Sequence, residues 1–240
     1  MLKEETVLRA TGYWAAHLGC EASELFTESI RVVTHSRELS DYPGVFALFR
    51  GGAATVSVPS GGAESFRRLL PTQSTTPARF TEAFRLDKFT VIGPAYIGYA
   101  EAIRWPSHPA RLLTRRDASA AAALRAACND VEWDHGGSCV EEHPASGVFA
   151  GDQLIALAGY EVWGGILAHI SVITHPAFRR HGFGRNAVAH LAAAALAAGL
   201  VPQYRTLESN QASLRIAETL GFHRYATSVA VRPNLDTAAS

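Results

Sequence analysis

The residues best suited to chemistry lie between Ile170 and Val188, in the run ISVITHPAFRRHGFGRNAV. A β-prone segment there gives way to a loop with two adjacent cations, Arg179 and Arg180. Gly182 and Gly184 follow, and then an alanine-rich segment that reads as a helix. A helix start leaves backbone N–H groups unpaired, and the aligned peptide dipoles put partial positive charge there. Glycines let an anion approach that backbone closely, so the run suits a pyrophosphate. Arginine adds charge-assisted hydrogen bonds. The plainer reading is a strand-to-helix connection whose glycines only make the turn.

A second phosphate-binding pattern competes. Gly182-x-Gly184-x-x-Ala187 fits the dinucleotide fingerprint GxGxxA, and Glu208 follows about twenty residues later. In that fingerprint the glycines follow the strand directly and open the first strand–helix–strand unit. Here HPAFRRH intervenes after Thr174 and several elements come first. Both features count against a dinucleotide.

The hexad Arg179-Arg180-His181-Gly182-Phe183-Gly184, preceded by a strand and Pro176, resembles the acetyl-CoA motif R/Q-x-x-G-x-G/A of the GNAT superfamily of acyl-CoA N-acyltransferases. The run ESNQASLRIAETLGF, Glu208 to Phe222, is similar to that family's second signature, an Asn at a strand exit followed by a helix ending in LGF. The resemblance covers about 120 residues, from Arg111 to Val231, and leaves Met1 to Trp105 outside it.

The resemblance implies an α/β (α+β) fold with a GNAT-like mixed, splayed central sheet flanked by helices, plus an additional N-terminal α/β domain. It implies acetyl-CoA as cofactor and transfer of the acetyl (acyl) group to an amine. The pantetheine amides are expected on the backbone of Val172, Ile173 and Thr174. The pyrophosphate is expected on the N–H groups from Arg180 through His181, Gly182, Phe183 and Gly184 to Arg185, with help from the Arg179 or Arg180 side chain. Asn210 and Ser213 are expected to touch the cofactor near the splay; Asn210 reads equally as a cap for the helix starting at Gln211.

Acyl transfer from a thioester needs a deprotonated amine, a polarised carbonyl and a protonated leaving thiolate. The family often keeps a Tyr three residues before LGF as the acid, and some members keep a Glu five residues before the Asn as the base. Those positions here are Ala217 and Arg205. Orientation beside the thioester can still supply much of the rate. His169, on the strand leading into the loop where relatives often carry Glu, is the first substitute base, since an imidazole titrates near neutral pH. In that role it is expected to contribute roughly 10²–10⁴-fold and to leave a pH–rate limb at about 6.5. Glu208, at the strand end near the expected thioester, is the second. Tyr204 and Tyr225 are candidate acids. No Cys stands near the motifs in sequence, so direct attack without a covalent intermediate is expected. The missing Tyr and Glu leave open a non-catalytic acyl-CoA sensor or interaction module. Glu141, Glu142 and His143 form a polar cluster suited to a cationic substrate. Asp134, His135 and His143 repeat no ligand spacing, so no metal is expected.

The elements that position these residues are read from periodicity and punctuation. Leu2–Leu18 patterns as an amphipathic helix stopped by Gly19. Strands are predicted at Arg31–Thr34, Val45–Phe49 and Thr55–Val58, the last two around Gly51-Gly52. A helix over Ala63–Leu70, a Ser/Thr/Pro loop from Pro71 to Pro77 and a strand from Phe89 follow. Pro, Ser and His cluster at Pro106–Ala110, which divides the chain into an accessory domain, 1–108, and an acetyltransferase-like domain, 109–240. The second part reads as strand Arg111–Thr114, a helix capped by Asp117 and running to Cys128, and a polar loop through Gly136-Gly137. A hairpin around Gly151-Asp152, strand Leu167–Thr174, helix Arg185–Ala198, strand Gln203–Leu207, helix Gln211–Leu220 and a last strand complete it.

Composition bounds the partners. Lys plus Arg and Asp plus Glu number 22 each, so no basic excess argues for a nucleic-acid surface. The cysteines, Cys20, Cys128 and Cys139, form no CxxC pair. The most apolar run, Ala187 to Val201, is too short to span a bilayer. The start, MLKEETVLRA, lacks an apolar signal core. A cytoplasmic protein acting on a small-molecule or peptide amine is expected, without nucleic acid or membrane, and with a homodimer as one allowed assembly.

Overall fold

The computed structural model describes residues 1–61, 64, 66, 68, 76–84, 89–106 and 109–234. The chain forms two compact units, each discontinuous in sequence. One comprises Met1–Leu2, Gly98–Arg205 and Ala212–His223; the other comprises Lys3–Ile97, Thr206–Gln211 and Arg224–Ser240. The expected division at 108/109 is a single cut, whereas each of these units is assembled from three segments and the chain passes between them five times.

The unit built mostly from the N-terminal part begins with α1 (Glu4–Leu18), which has Glu4 and Glu5 in its first turn and ends where Gly19 turns left-handed at φ 95°. A Cβ at Gly19 would fall 2.3 Å from the Thr34 carbonyl oxygen, so only glycine fits. Strands β1 (Arg31–Thr34), β2 (Val45–Arg50) and β3 (Ala53–Val58) follow, and then helix α2 (Pro77–Ala83) and strand β4 (Phe89–Tyr99). Strand β10 (His223–Pro233) returns to this unit. The strand order is β1-β3-β2-β10-β4, with β2 antiparallel to β3 on one edge and to β10 on the other. Val45, Ala47, Phe49, Val56, Phe80, Phe84 and Val229 make its core. The helix expected at Ala63–Leu70 lies largely outside the described residues. Helix α2 was unexpected: Pro77 occupies its first turn and the Thr76 hydroxyl caps it from the last residues of the predicted loop.

The unit that carries the Arg179–Gly184 motif and the helical part of the second signature has strand order β9-β8-β7-β6-β5. These are β5 (Arg111–Leu112), β6 (Ala145–Ala150), β7 (Gln153–Trp163), β8 (Leu167–Thr174) and β9 (Val201–Leu207). Its helices are α3 (Ala118–Ala127), α4 (Asp130–Gly136), α5 (Phe183–Ala197) and α6 (Gln211–Leu220). The pairing is antiparallel from β5 to β8 and parallel between β8 and β9, so the sheet is mixed, as expected. Ala121, Leu124 and Trp133 of α3 and α4 pack with Leu154, Leu157 and Ile173 on one face. Helix α5 lies on the other, where a Cβ at Gly184 would meet side chains of Val172 and Thr174.

Two local expectations are corrected here. Asp117 does not cap α3 with its side chain; its carboxylate accepts from the Thr114 N–H (2.8 Å) and pairs with Arg111 (2.6 Å). The polar loop before Gly136-Gly137 is helix α4, capped by the Asn129 side chain on the Glu132 N–H (2.8 Å).

Candidate functional site

Strand β8 is paired to β7 along its whole length, from Leu167↔Trp163 to Thr174↔Ala156. Its parallel ladder to β9 starts at Leu167↔Val201 and stops at Ile170↔Tyr204, although β8 runs on to Thr174. The His175 N–H donates to the Ile155 carbonyl on the β7 side (2.9 Å). By the alternation of a strand, Ile173 also faces β7, while the N–H groups of Val172 and Thr174 point to the edge that β9 has left. Val172 and Thr174 are therefore the residues whose N–H groups face the edge without a strand partner. Ile173 is corrected: its backbone faces β7 and its side chain is buried against α3.

Beyond Thr174 the chain makes a short turn, Pro176–Phe178, held by the Ala177 N–H on His175 Nδ1 (3.2 Å). Arg180 and Gly182 are both left-handed, at φ 69° and 83°. Glycine adopts that conformation freely, whereas arginine pays about 1–2 kcal/mol for it. Helix α5 then starts at Phe183, with Asn186 N–H on Gly182 O (3.2 Å). A Cβ at Gly184 would lie 2.7 Å from Thr174 Oγ1, so glycine is what brings the helix start down onto the end of β8. The Arg185 guanidinium folds back over Gly182, and its Nε is buried with no hydrogen-bond partner among the described residues. The Asn186 amide, 1% exposed, is unpartnered in the same sense. Unpaired donors beside a helix N-terminus fit the pyrophosphate of a coenzyme A.

The two arginines separate. Arg179 pairs with Glu132 of α4 (2.8 Å), and its Nε donates to the Thr174 carbonyl (3.2 Å). It is a brace between α4 and the loop, and the pair holds the Glu132 carboxyl below its usual range. Arg180 is exposed and has no ion pair among the described residues, so it is the cation left for a phosphate. His181 is exposed and stacks on Phe183 at 5.9 Å.

His169 does not have the properties of a base near neutral pH. Burial, reinforced by the Arg205 charge, pushes its pKa down to about 3. Gln203 Nε2 donates to its Nδ1 (3.1 Å), and the Trp163 indole stacks on its ring at 3.9 Å. The imidazole is neutral, with its proton on Nε2. The expected limb at about 6.5 is thereby corrected, because desolvation disfavours the charged ring. Glu208 is held by the Arg224 guanidinium and accepts from Thr227 Oγ1 (3.2 Å), both at Oε1.

The Tyr204 hydroxyl shares a hydrogen bond with Ser213 Oγ (2.8 Å), and burial pushes its pKa up to about 12. It therefore stays protonated and can donate. Tyr225 instead packs under Arg50, 4.7 Å from the guanidinium carbon, and bonds Thr11 (3.0 Å). Asn210 directly precedes α6, with its N–H on Leu207 O (3.0 Å). Cys128, distant in sequence, lies beside Arg179; burial raises its thiol pKa, which keeps it a weak nucleophile. Sequence reasoning missed Glu132, Cys128 and Gln203. The pattern Asn129-x-x-Glu132 could have revealed α4 as a capped helix, and Glu132 with it.

The parallel ladder between β8 and β9 thus opens towards a helix start built on Gly182 and Gly184. Residues 146–229 match the family model described as GNAT acetyltransferase, so this part of the chain belongs to the GNAT superfamily. Its function is of the acetyltransferase type. Among solved structures, a GNAT-family protein of Novosphingobium aromaticivorans is 25% identical, over 61% of this chain and 68% of that one, with a TM-score of 0.45. A GNAT-family acetyltransferase of Colwellia psychrerythraea is 15% identical, over 68% and 63%, with a TM-score of 0.49. A GCN5-related N-acetyltransferase-like protein of Streptococcus suis is 16% identical, over 77% and 73%, with a TM-score of 0.47. The chain thus spans about two thirds of the length of such proteins. No curated protein matches. Among the described residues, no helix is long and apolar enough to cross a membrane.

Proposed function

We propose that this protein is an N-acetyltransferase that takes acetyl-CoA as donor and an amine as acceptor. The observation that carries the reading is the ladder that stops at Ile170↔Tyr204 while β8 continues to Thr174 and a helix start built on Gly182 and Gly184. The N–H groups of Val172 and Thr174 would hold the pantetheine amides, completing the half-paired strand. The N–H groups at the start of α5, with Arg180 and the orphaned Arg185 Nε, would hold the pyrophosphate. Acetyl-CoA supplies an acyl carbon already activated as a thioester. The Tyr204 hydroxyl, hydrogen-bonded to Ser213, stays protonated and is the candidate donor towards a leaving thiolate, though a weak acid because burial raises its pKa. Neutral His169 and ion-paired Glu208 leave proton removal from the amine to water, and orientation then accounts for most of the rate. Burial raises the Cys128 thiol pKa, which disfavours the thiolate that an acyl-enzyme route needs.

The test is release of free thiol from acetyl-CoA across a panel of amines, beside a calorimetric binding isotherm. Thiol release with matching N-acetylated product supports the reading. Tight binding with no turnover on any amine would instead favour a sensor that binds acyl-CoA, which the buried Ala217 at the usual acid position also suits.

A further inference from the structure

On the α3/α4 side of the same sheet, three side chains stand in one row across three strands. Glu161 of β7 is paired with His169 of β8, and His169 with Gln203 of β9. Directly paired residues share a face with Cβ atoms about 4.5–5.5 Å apart. Trp163 lies two residues along β7, on the same face. The row is tied together. The Tyr99 hydroxyl donates to Gln203 Oε1 (2.9 Å), Gln203 Nε2 donates to His169 Nδ1 (3.1 Å), the imidazole stacks on the indole at 3.9 Å and 21°, and the indole N–H donates to Glu161 Oε2 (3.3 Å). Tyr99 and Gln203 are fully buried, while Trp163 is partly exposed and Glu161 exposed. A rigid interior thus supports a carboxylate and an aromatic ring at the surface.

We infer that Glu161, Trp163 and His169 form the recognition patch for the acceptor, and that the acceptor they take is a cationic alkylamine. This rests on the transferase reading only in calling the ligand an acceptor. The chemistry follows from what the row leaves available. Gln203 occupies the His169 Nδ1 lone pair, so the ring adds no charge of its own and offers only an Nε2–H. Glu161 supplies the negative charge, and the indole beside it favours a cation over a neutral group. Arg205 is the competing cation on this face. It sits on β9, two strands from Glu161 and therefore roughly 10 Å away, so an ammonium is directed to the Glu161–Trp163 end. Strand β8 loses its β9 partner just beyond Ile170, so the patch adjoins the edge assigned to pantetheine.

The experiment uses n-pentylamine, with 1-pentanol as its neutral counterpart, titrated into the full chain. The readouts are the NMR signals of the Trp163 indole N–H and the His169 ring. Pentylamine is expected to shift both saturably, and pentanol to shift neither. Glu161→Gln should weaken pentylamine binding roughly tenfold or more, as for loss of a hydrogen bond to a charged group. Calorimetry should give the same acetyl-CoA affinity for the variant and the parent. Equal binding of pentanol, or a Glu161→Gln variant with unchanged pentylamine affinity, overturns the patch. Pentylamine that is acetylated without moving either signal also overturns it, while leaving the transferase reading intact. Saturable shifts with no thiol released uphold the patch and count against the transferase.

Discussion

Strands β2 and β8 invite comparison. Strand β2 is paired on both edges, to β3 and to β10, through residues that are almost all buried. Strand β8 is paired on both edges only as far as Ile170, and its last stretch keeps one. Backbone N–H and C=O groups left without partners are costly when dry, so a strand with an open edge is retained where something else completes it. The glycines divide in the same way. Gly51 and Gly52 of the β2–β3 turn have positive φ but open space where a Cβ would go, so they serve conformation alone. Gly184 has no such φ but has Thr174 Oγ1 against it, so it serves proximity. One region has its backbone groups paired within the sheet, the other leaves some at an edge where the proposed ligand would pair.

Mutations should separate the two. The largest effect belongs to the paired region: Phe80→Ala removes a fully buried ring in contact with Phe49 and Phe84. It should destabilise by about 3–5 kcal/mol in urea unfolding, while protein that remains folded binds acetyl-CoA normally. Loss of affinity in that folded fraction would break the comparison. Next comes Gly184→Val, which should lift the start of α5 off β8 and weaken acetyl-CoA binding on the order of a hundredfold, the loss of one or two charge-assisted bonds. Its counterpart Gly51→Val should lower the melting temperature and leave calorimetric affinity unchanged.

Arg180 and Arg179 sharpen the picture within the loop. Arg180→Ala should cost about 1–3 kcal/mol of acetyl-CoA binding and flatten its salt dependence. Arg180→Gly, which also relieves the left-handed φ of 69°, should raise the melting temperature while binding as weakly as the alanine variant. Arg179→Ala should act through loss of the Glu132 brace, so Glu132→Gln should reproduce most of its effect. One further effect is read in pH rather than in affinity and concerns His169. In the unfolded chain it protonates at about 6.5, in the fold only at about 3. Between those values the unfolded state binds the extra proton, so stability rises with pH across that window. His169→Gln should flatten that slope in urea titrations from acid to neutral pH, and an unchanged slope would refute the depressed pKa.

The sequence was most informative where glycine and helix patterning coincide. Strand Leu167–Thr174 and helix Gln211–Leu220 stand at their expected bounds, since Gly164-Gly165 and Pro176 bracket the first and Asn210 and Gly221 the second, leaving little choice of boundary. Helix α4 was hidden because its cap, Asn129, and its polar residues look like a loop when the packing of Trp133 is unknown. The His169 environment was unreadable for a different reason. Its neighbours Trp163 and Gln203 come from adjacent strands, and a pKa set by burial cannot be taken from residue type. Glu208 reads from sequence as a second candidate base because Arg224, which holds it, comes from β10.

The central claim is that acetyl-CoA completes the open edge of β8. Amide hydrogen exchange resolved to single residues tests it most directly, with Val172 and Thr174 followed before and after saturation with acetyl-CoA. The account predicts that these two N–H groups become strongly protected on binding, while Ile173, already facing β7, changes little. Saturable binding that leaves Val172 and Thr174 exchanging as before would contradict it.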